Sequence, residues 1–184
     1  MPNYISIAEA AQLLTNAQRI MVIGCSGGGK TTLSRALAEQ LDLLYVSLDR
    51  DVYWLPGWLR RERQTQRKLI AGFVAQERWM IDCSGASSFD LRLPRADLVI
   101  WVRVPPRVAL AGLTKRILRH FGTVRPTMAP GCPERLPDRA FLSYIWTFGR
   151  VHAPLFERNI ATHRPDVPVV LLRRNADAVH LLGR

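Results

Sequence analysis

The 184-residue sequence predicts an α/β fold in which a five-stranded parallel sheet carries helices on both faces. Short apolar runs such as Ile-Met-Val-Ile, which follows Arg19 in residues 19–23, are uninterrupted by polar residues, which is typical of strands buried on both faces of a parallel sheet. Between these runs, apolar residues recur at helical spacing, as they do across residues 30–41. This alternation of strands and helices favours a parallel arrangement.

The length and the hydrophobic content of 48% suit one domain over residues 1–184, with a lid-like insertion at about 120–137. No run of eighteen apolar residues is present for a membrane span, and the first residues lack the basic-then-apolar layout of a signal peptide. We therefore expect a cytoplasmic protein. Three widely spaced cysteines without a Cys-x-x-Cys pair support neither a disulfide framework nor a zinc site.

Positive charge is concentrated in the second half of the chain. Residues 1–100 carry 12 Lys and Arg against 10 Asp and Glu, whereas residues 101–184 carry 14 against 5, which gives +2 and +9. Arginine binds phosphate oxygens at two points, so the excess fits a phosphate ligand. It equally fits sequence-independent nucleic-acid binding or a compositional bias of the genome, and these alternatives stay open.

The first elements follow from local signals. Ser6 and Glu9 form a capping-box pattern that opens a short helix through about Leu14. A strand over 19–23, a helix over 30–41 and a strand over 43–47 come next, followed by an aromatic loop over 49–58. The remaining predicted elements are a helix over 61–76, a strand over 79–81, a strand over 97–104, a helix from Pro105 or Pro106 to about His120, helical structure over 138–159, a strand over 166–172 and a last short helix from about Asn175.

The segment between strand 19–23 and helix 30–41 is rich in glycine. Its sequence, IGCSGGGKTT over residues 23–32, contains Gly24-x-x-x-x-Gly29-Lys30-Thr31. Four glycines lower stability unless the backbone needs positive φ or a close approach to a ligand. The segment resembles the Walker A loop, in which backbone N–H groups and a helix N-terminus bind phosphates. The predicted nucleotide-binding residues are Gly24, Ser26, Gly27, Gly28, Gly29, Lys30, Thr31 and Thr32.

A magnesium ion is expected beside this loop. Thr31 would ligate the metal with its hydroxyl, as the corresponding Walker A residue does. Asp82 directly follows the apolar strand 79–81, so it would lie at the same edge of the sheet. Asp82 could instead only cap the turn after the strand.

If the bound nucleotide transfers a phosphoryl group, we expect the acceptor molecule to bind near Asp49 and Asp51, which close the second strand. Two residues apart, they would share a face if the chain were still extended there. A hydroxyl acceptor would need a carboxylate as general base, and Asp49 is the candidate; a phosphate acceptor would instead need arginines. Solvated turn aspartates are the alternative. The neighbouring Tyr53, Trp54 and Trp58 stack on a base or anchor the loop to the core.

Three arginines are candidates for charge stabilisation during phosphoryl transfer. Arg116 and Arg119 share a helix face, and Arg125 lies in the Pro/Gly-rich segment 121–137. This segment holds four prolines, two glycines and few apolar residues, which predicts a mobile lid that closes over the phosphates. A solvated basic surface is the alternative.

The segments LDLLYVSLD, LDRDVYWLPGW, WMIDCSG and RILRHFGTVRPTMAPGCPE, together with the phosphate loop, resemble the adenylate-kinase-like P-loop proteins of the "DNA topology modulation protein" group. The resemblance covers residues 19 to 182; YWLPGW and RPTMAPGCPE point to the narrower group. Similarity to nucleoside monophosphate kinases implies a five-stranded sheet, ATP with Mg²⁺, a monophosphate-binding region after the second strand and an arginine-bearing lid.

One motif departs from that resemblance. Nucleoside monophosphate kinases usually carry Asp-Gly-Phe-Pro-Arg after the third strand, whereas Cys83-Ser84-Gly85 follows Asp82 here, so only Arg92 or Arg95 could replace the missing arginine. We therefore expect an ATP- and Mg²⁺-dependent phosphotransferase that acts on a small acceptor, a nucleotide or a nucleoside. The alternatives are an ATP-binding regulator that contacts nucleic acid and a kinase of another small hydroxyl metabolite.

Overall fold

The computed structural model describes residues 1–83 and 85–183, and within them a parallel six-stranded sheet forms the centre of the fold. The strand order is β1-β8-β7-β2-β6-β3. A separate antiparallel pair, β4–β5, lies outside this sheet. The strands are β1 Asn3–Ile5, β2 Arg19–Gly24, β3 Leu44–Ser47, β4 Trp54–Leu55, β5 Leu59–Arg60, β6 Trp79–Asp82, β7 Leu98–Val102 and β8 Pro168–Leu172.

The sheet has one strand more than the five that the sequence predicts. The additional strand β1 pairs in parallel with β8, from Asn3 opposite Pro168 to Ile5 opposite Val170. Three residues are too few to show a periodicity, and Tyr4 is exposed at this sheet edge. The other five strands lie where the apolar runs predict them.

Eight helices connect and cover the strands in the described residues: α1 Ile7–Leu14, α2 Lys30–Gln40, α3 Arg63–Ala75, α4 Phe89–Arg92, α5 Pro106–His120, α6 Arg139–Val151, α7 Ala153–His163 and α8 Asn175–Leu181. The capping box of α1 is confirmed, since the Ser6 N–H donates to the Glu9 carboxylate at 2.7 Å. The helical stretch predicted over 138–159 is two helices, because Pro154 cannot donate to the carbonyl four residues before it. None of the helices in this part of the chain is long and apolar enough to cross a membrane.

The central strand β2 is buried from both sides. Met21 and Ile23 pack into the core on one face of the sheet, and Ile20 and Val22 pack into the core on the other. All four side chains are fully inaccessible to solvent. The uninterrupted apolar run of β2 is therefore explained by two hydrophobic cores, one on each face.

Helix α5 lies directly against the glycine-rich loop that follows β2. A Cβ atom on Gly112 would come within 2.1 Å of the Gly27 carbonyl oxygen, and one on Gly27 would come equally close to the Ala109 carbonyl. Gly27 also has a φ of +79°. Backbone therefore meets backbone at this contact, and only glycine permits it.

We predict that Gly112→Ala lowers the free energy of unfolding by about 1 to 3 kcal/mol, because the added methyl group forces α5 away from the loop. Chemical denaturation measures this change. Gly149→Ala is the matched control, since Gly149 is also helical but has no atom within 4 Å of the position that the added methyl group would take. It should raise stability by roughly 0.5 to 1 kcal/mol through helix propensity. Equal stability changes in the two variants would contradict the close contact.

Candidate functional site

A cleft of about 1640 Å³ opens at the carboxyl edge of the sheet, beside the loop between β2 and α2. Ligand clefts of open α/β sheets lie at this edge, where neighbouring loops diverge. Ser26 to Thr32 line the cleft, together with the ends of β3 and β6 and one face of α5. The site is therefore built around the predicted phosphate loop.

The loop has the backbone conformation that its glycines predict. Gly24, Gly27 and Gly29 have φ values of +137°, +79° and +91°. A Cβ atom on Gly24 would lie 2.1 Å from the Val102 carbonyl oxygen, so this position also needs glycine for space. Gly29 caps α2, and the helix N-terminus with its free N–H groups faces the cleft. Such a loop can hold an anion.

Lys30 is held inside the loop. Its side chain is only 7% exposed, and its Nζ donates to the Cys25 carbonyl at 2.8 Å. The residue lines the cleft, so an anion there would contact a buried ammonium group in surroundings that strengthen the attraction. Burial raises the pKa of the neighbouring Cys25 thiol to about 11, so this cysteine stays neutral.

Thr31 and Asp82 lie side by side, as predicted for metal ligands. The Thr31 hydroxyl donates to Asp82 Oδ2 at 2.6 Å, and the Tyr45 hydroxyl approaches the same oxygen at 3.4 Å. Asp82 is 6% exposed; burial raises the pKa of its carboxyl group, Lys30 lowers it and the nearby Asp49 raises it further. Two adjacent hard oxygen donors facing a phosphate loop fit Mg²⁺, which often keeps water and phosphate oxygens as its other ligands.

Asp49 and Asp51 do not lie on one face of an extended chain. Residues 49–53 form a π-helical turn, so the expected shared face is wrong. Asp51 accepts a hydrogen bond from the Ser47 N–H at 2.9 Å and pairs with Arg50 at 2.7 Å, which gives it a structural role. Asp49 lines the cleft, and within the described residues no hydrogen bond or ion pair occupies its carboxylate.

The structure brings together two of the three predicted arginines. Arg116 Nη1 donates to the Ser26 hydroxyl at 3.1 Å, and its Nε donates to Glu134 at the same distance. Arg125 forms an ion pair with the other oxygen of Glu134. Arg119 also lines the cleft but is exposed, and no hydrogen bond or ion pair holds it among the described residues.

The segment 121–137 is better anchored than its composition predicts. Met128, Ala129 and Cys132 are buried and pack against Trp54 and Trp58 of the aromatic loop. The Gly57 N–H donates to the Gly131 carbonyl at 2.9 Å, and the Ser47 hydroxyl donates to the Thr127 carbonyl at 3.1 Å. The expectation that the segment has too few apolar residues to be held in place is therefore wrong, because its three buried residues pack against the two tryptophans. The tryptophans serve as loop anchors here.

Neither arginine that could replace the missing acceptor-binding arginine lines the cleft. Arg92 is fully buried outside the cleft lining, with Nε donating to the Ser88 hydroxyl at 3.0 Å and Nη2 to the Gly85 carbonyl at 2.7 Å. Arg95 lies on the short turn after α4, also outside the cleft lining. The two hydrogen bonds of Arg92 give it a structural role.

Glu134 is the residue of this site that the sequence analysis did not single out. It is 5% exposed and binds both Arg116 and Arg125. The available signal was that Glu134 is the only acidic residue between positions 98 and 137, in a stretch that contains several cations. Charge complementarity alone, however, does not indicate which cations a single carboxylate contacts.

No protein-family description and no curated protein matches the chain. Solved structures do match. A shikimate kinase from Acinetobacter baumannii has a TM-score of 0.58 and 14% identity, over 94% of this chain and 93% of that one. Deoxyadenosine kinase from M. mycoides with bound dATP has a TM-score of 0.53 and 14% identity, over 90% and 95%.

A sugar kinase from Janibacter sp. HTCC2649 has a TM-score of 0.50 and 16% identity, over 91% of each chain. At these identities the likeness concerns the fold. It confirms the predicted α/β architecture, in which a parallel sheet lies between helices, as a fold that these kinases share.

We predict that Lys30→Ala weakens binding of a non-hydrolysable ATP analogue by at least about tenfold, because an ammonium–phosphate contact is lost from a buried site. Titration calorimetry in the presence of Mg²⁺ measures the affinity. Lys68→Ala is the control, since Lys68 is an exposed cation on α3. Unchanged affinity in a folded Lys30→Ala protein would contradict the assignment of the loop.

Proposed function

We propose that the protein is an ATP- and Mg²⁺-dependent phosphotransferase that moves the γ-phosphoryl group to a hydroxyl group of a small acceptor, such as a nucleoside. The observation that carries this proposal is a single cleft holding three features together. These are the glycine loop with its buried Lys30, the adjacent oxygens of Thr31 and Asp82, and the unoccupied carboxylate of Asp49.

The residues divide the work as follows. The loop amides of residues 27–30 and the Lys30 ammonium group would bind the nucleotide phosphates. Thr31 and Asp82 would hold the metal. Bound Mg·ATP would supply a transferable phosphoryl group with part of its charge neutralised. Arg116 and Arg125, with Arg119 at the cleft rim, would stabilise the charge that is redistributed during transfer.

A hydroxyl acceptor fits the acceptor side better than a monophosphate. Asp49 presents a carboxylate that can take a proton from a hydroxyl group. A monophosphate would need guanidinium groups, but Arg50 is engaged by Asp51, and neither Arg92 nor Arg95 lines the cleft. This arrangement favours a nucleoside or another small hydroxyl compound among the acceptors that the sequence leaves open.

The positive charge of the second half supports phosphate binding over nucleic-acid binding. Six of its fourteen cations line the cleft: Arg107, Lys115, Arg116, Arg119, Arg125 and Arg174. A groove that concentrates positive charge attracts anionic ligands and raises their local concentration. The excess charge is thus accounted for in part by one ligand site.

We further propose that residues 1–184 act as one domain, with residues 120–137 as an arginine-bearing lid that packs against the aromatic loop. The YWLPGW and RPTMAPGCPE segments support placing the chain in the "DNA topology modulation protein" group, since their residues form the contact between Trp58 and Cys132.

Asp49→Asn should lower kcat by about 10²- to 10⁴-fold, because asparagine cannot accept the hydroxyl proton. The assay is ADP formation with nucleosides, nucleoside monophosphates and other hydroxylated compounds, followed by ³¹P NMR of the product. A phosphomonoester is expected. A phosphoanhydride product would show transfer to a phosphate group and would contradict the hydroxyl acceptor.

Asp51→Asn is the control that distinguishes a loss of catalysis from a loss of stability in the same turn. Because Asp51 pairs with Arg50 and accepts the Ser47 N–H, this variant should lose about 1 to 3 kcal/mol of stability while the folded fraction keeps most of its kcat. If both variants lose kcat equally, Asp49 is not the general base.

A further inference from the structure

The side chain of Glu134 joins two arginines that belong to different parts of the chain. Its Oε1 accepts a hydrogen bond from Nε of Arg116 of helix α5 at 3.1 Å and forms an ion pair with Nη2 of the same residue at 3.0 Å. Its Oε2 pairs with Nε of Arg125, which lies in the segment 121–137. One carboxylate thus contacts two guanidinium groups, through a hydrogen bond to Arg116 and through an ion pair with Arg125.

The position of this pair relates it to the phosphate loop. Arg116 also contacts the hydroxyl of Ser26 at 3.1 Å, and Arg116 and Arg125 both line the cleft. Ser26 lies within the glycine-rich loop, directly before Gly27. The two guanidinium groups are therefore held at the wall of the cleft where the phosphates of a nucleotide would lie.

Two positively charged guanidinium groups repel each other, so a nearby negative charge is needed to hold them close together. Burial lowers the pKa of Arg116, the charge of Arg125 lowers it further, and Glu134 raises it. Glu134 itself is 5% exposed, so its attraction to both arginines is only weakly screened. Removing this charge would leave two partly buried cations in mutual repulsion.

The backbone of Glu134 forms hydrogen bonds within the segment 121–137 that do not involve its side chain. Its carbonyl accepts from the Gly122 N–H at 2.9 Å, and its N–H donates to the Thr123 carbonyl at 2.8 Å. These bonds pair residues 121 and 134 in a short parallel bridge. A substitution that changes only the side chain can therefore leave this pairing in place.

We propose that Glu134 is a positioning residue that sets Arg116 and Arg125 at the phosphate loop for phosphoryl transfer. This inference rests on the proposed function. Glu134 does not touch the reacting atoms; it acts through the two arginines, whose charge is useful only if it is already in place when the transition state forms.

The test substitution is Glu134→Gln, which keeps the shape but offers one acceptor oxygen and turns an NH₂ group toward the second arginine. We expect kcat to fall by about tenfold or more, with KM for ATP changed by no more than about threefold, because transition-state contacts are lost. Asp138→Asn is the matched control: it removes a nearby negative charge, and asparagine preserves the cap on the Phe141 N–H.

Two further measurements distinguish positioning from folding. In a protein that already carries Arg116→Met and Arg125→Met, Glu134→Gln should change kcat by no more than about twofold. In ¹⁵N NMR, the side-chain Nε–H signal of Arg116, which donates to Glu134, should be protected from exchange in the unsubstituted protein and lose that protection in Glu134→Gln.

The outcomes are separable. Unchanged kcat in Glu134→Gln would overturn the positioning role of Glu134. The same loss of kcat when Glu134→Gln is added to the Arg116→Met, Arg125→Met protein would overturn it as well. Absence of phosphoryl transfer by the unsubstituted protein, with every acceptor class, would contradict the proposed function itself and with it this role.

Discussion

The arrangement of the site depends on the contact between Gly27 and Gly112. Because neither residue has a Cβ atom, helix α5 can lie with its backbone against the phosphate loop. Arg116, one turn further along α5, then reaches Ser26, and through Glu134 the same helix is tied to Arg125. The contact between Gly27 and Gly112 thus places the positive charge of Arg116 beside the phosphate loop that follows β2.

Much of the fold could be predicted because burial imposes a simple pattern. Residues 20–23 pack alternately into two cores, so an apolar residue is required at each position and the run is easy to recognise. The glycines of the loop are predictable for a related reason, since positive φ at Gly24, Gly27 and Gly29 restricts the residue type. The neighbouring positions of Thr31 and Asp82 follow from the parallel pairing of β2 and β6.

The features that could not be predicted depend on contacts between distant segments. The π-helical turn at Asp49–Tyr53 is supported by Asp51 binding the Ser47 N–H, and the spacing of two aspartates does not indicate it. Cys132 is buried because Trp58 lies over it, although a Pro/Gly-rich composition suggests mobility. Glu134 likewise has no local signal for its two partners. Strand β1 was missed because three residues at a sheet edge carry too little pattern.

A crystal structure of the protein with Mg²⁺ and a non-hydrolysable ATP analogue tests the central claim most directly. The account predicts the β-phosphate on the amides of residues 27–30 beside Lys30, the metal at Thr31 and Asp82, and Arg116 and Arg125 at the phosphates, with Asp49 facing the terminal phosphate across the acceptor side. A nucleotide bound outside the cleft, or a metal bound away from Thr31 and Asp82, would contradict it.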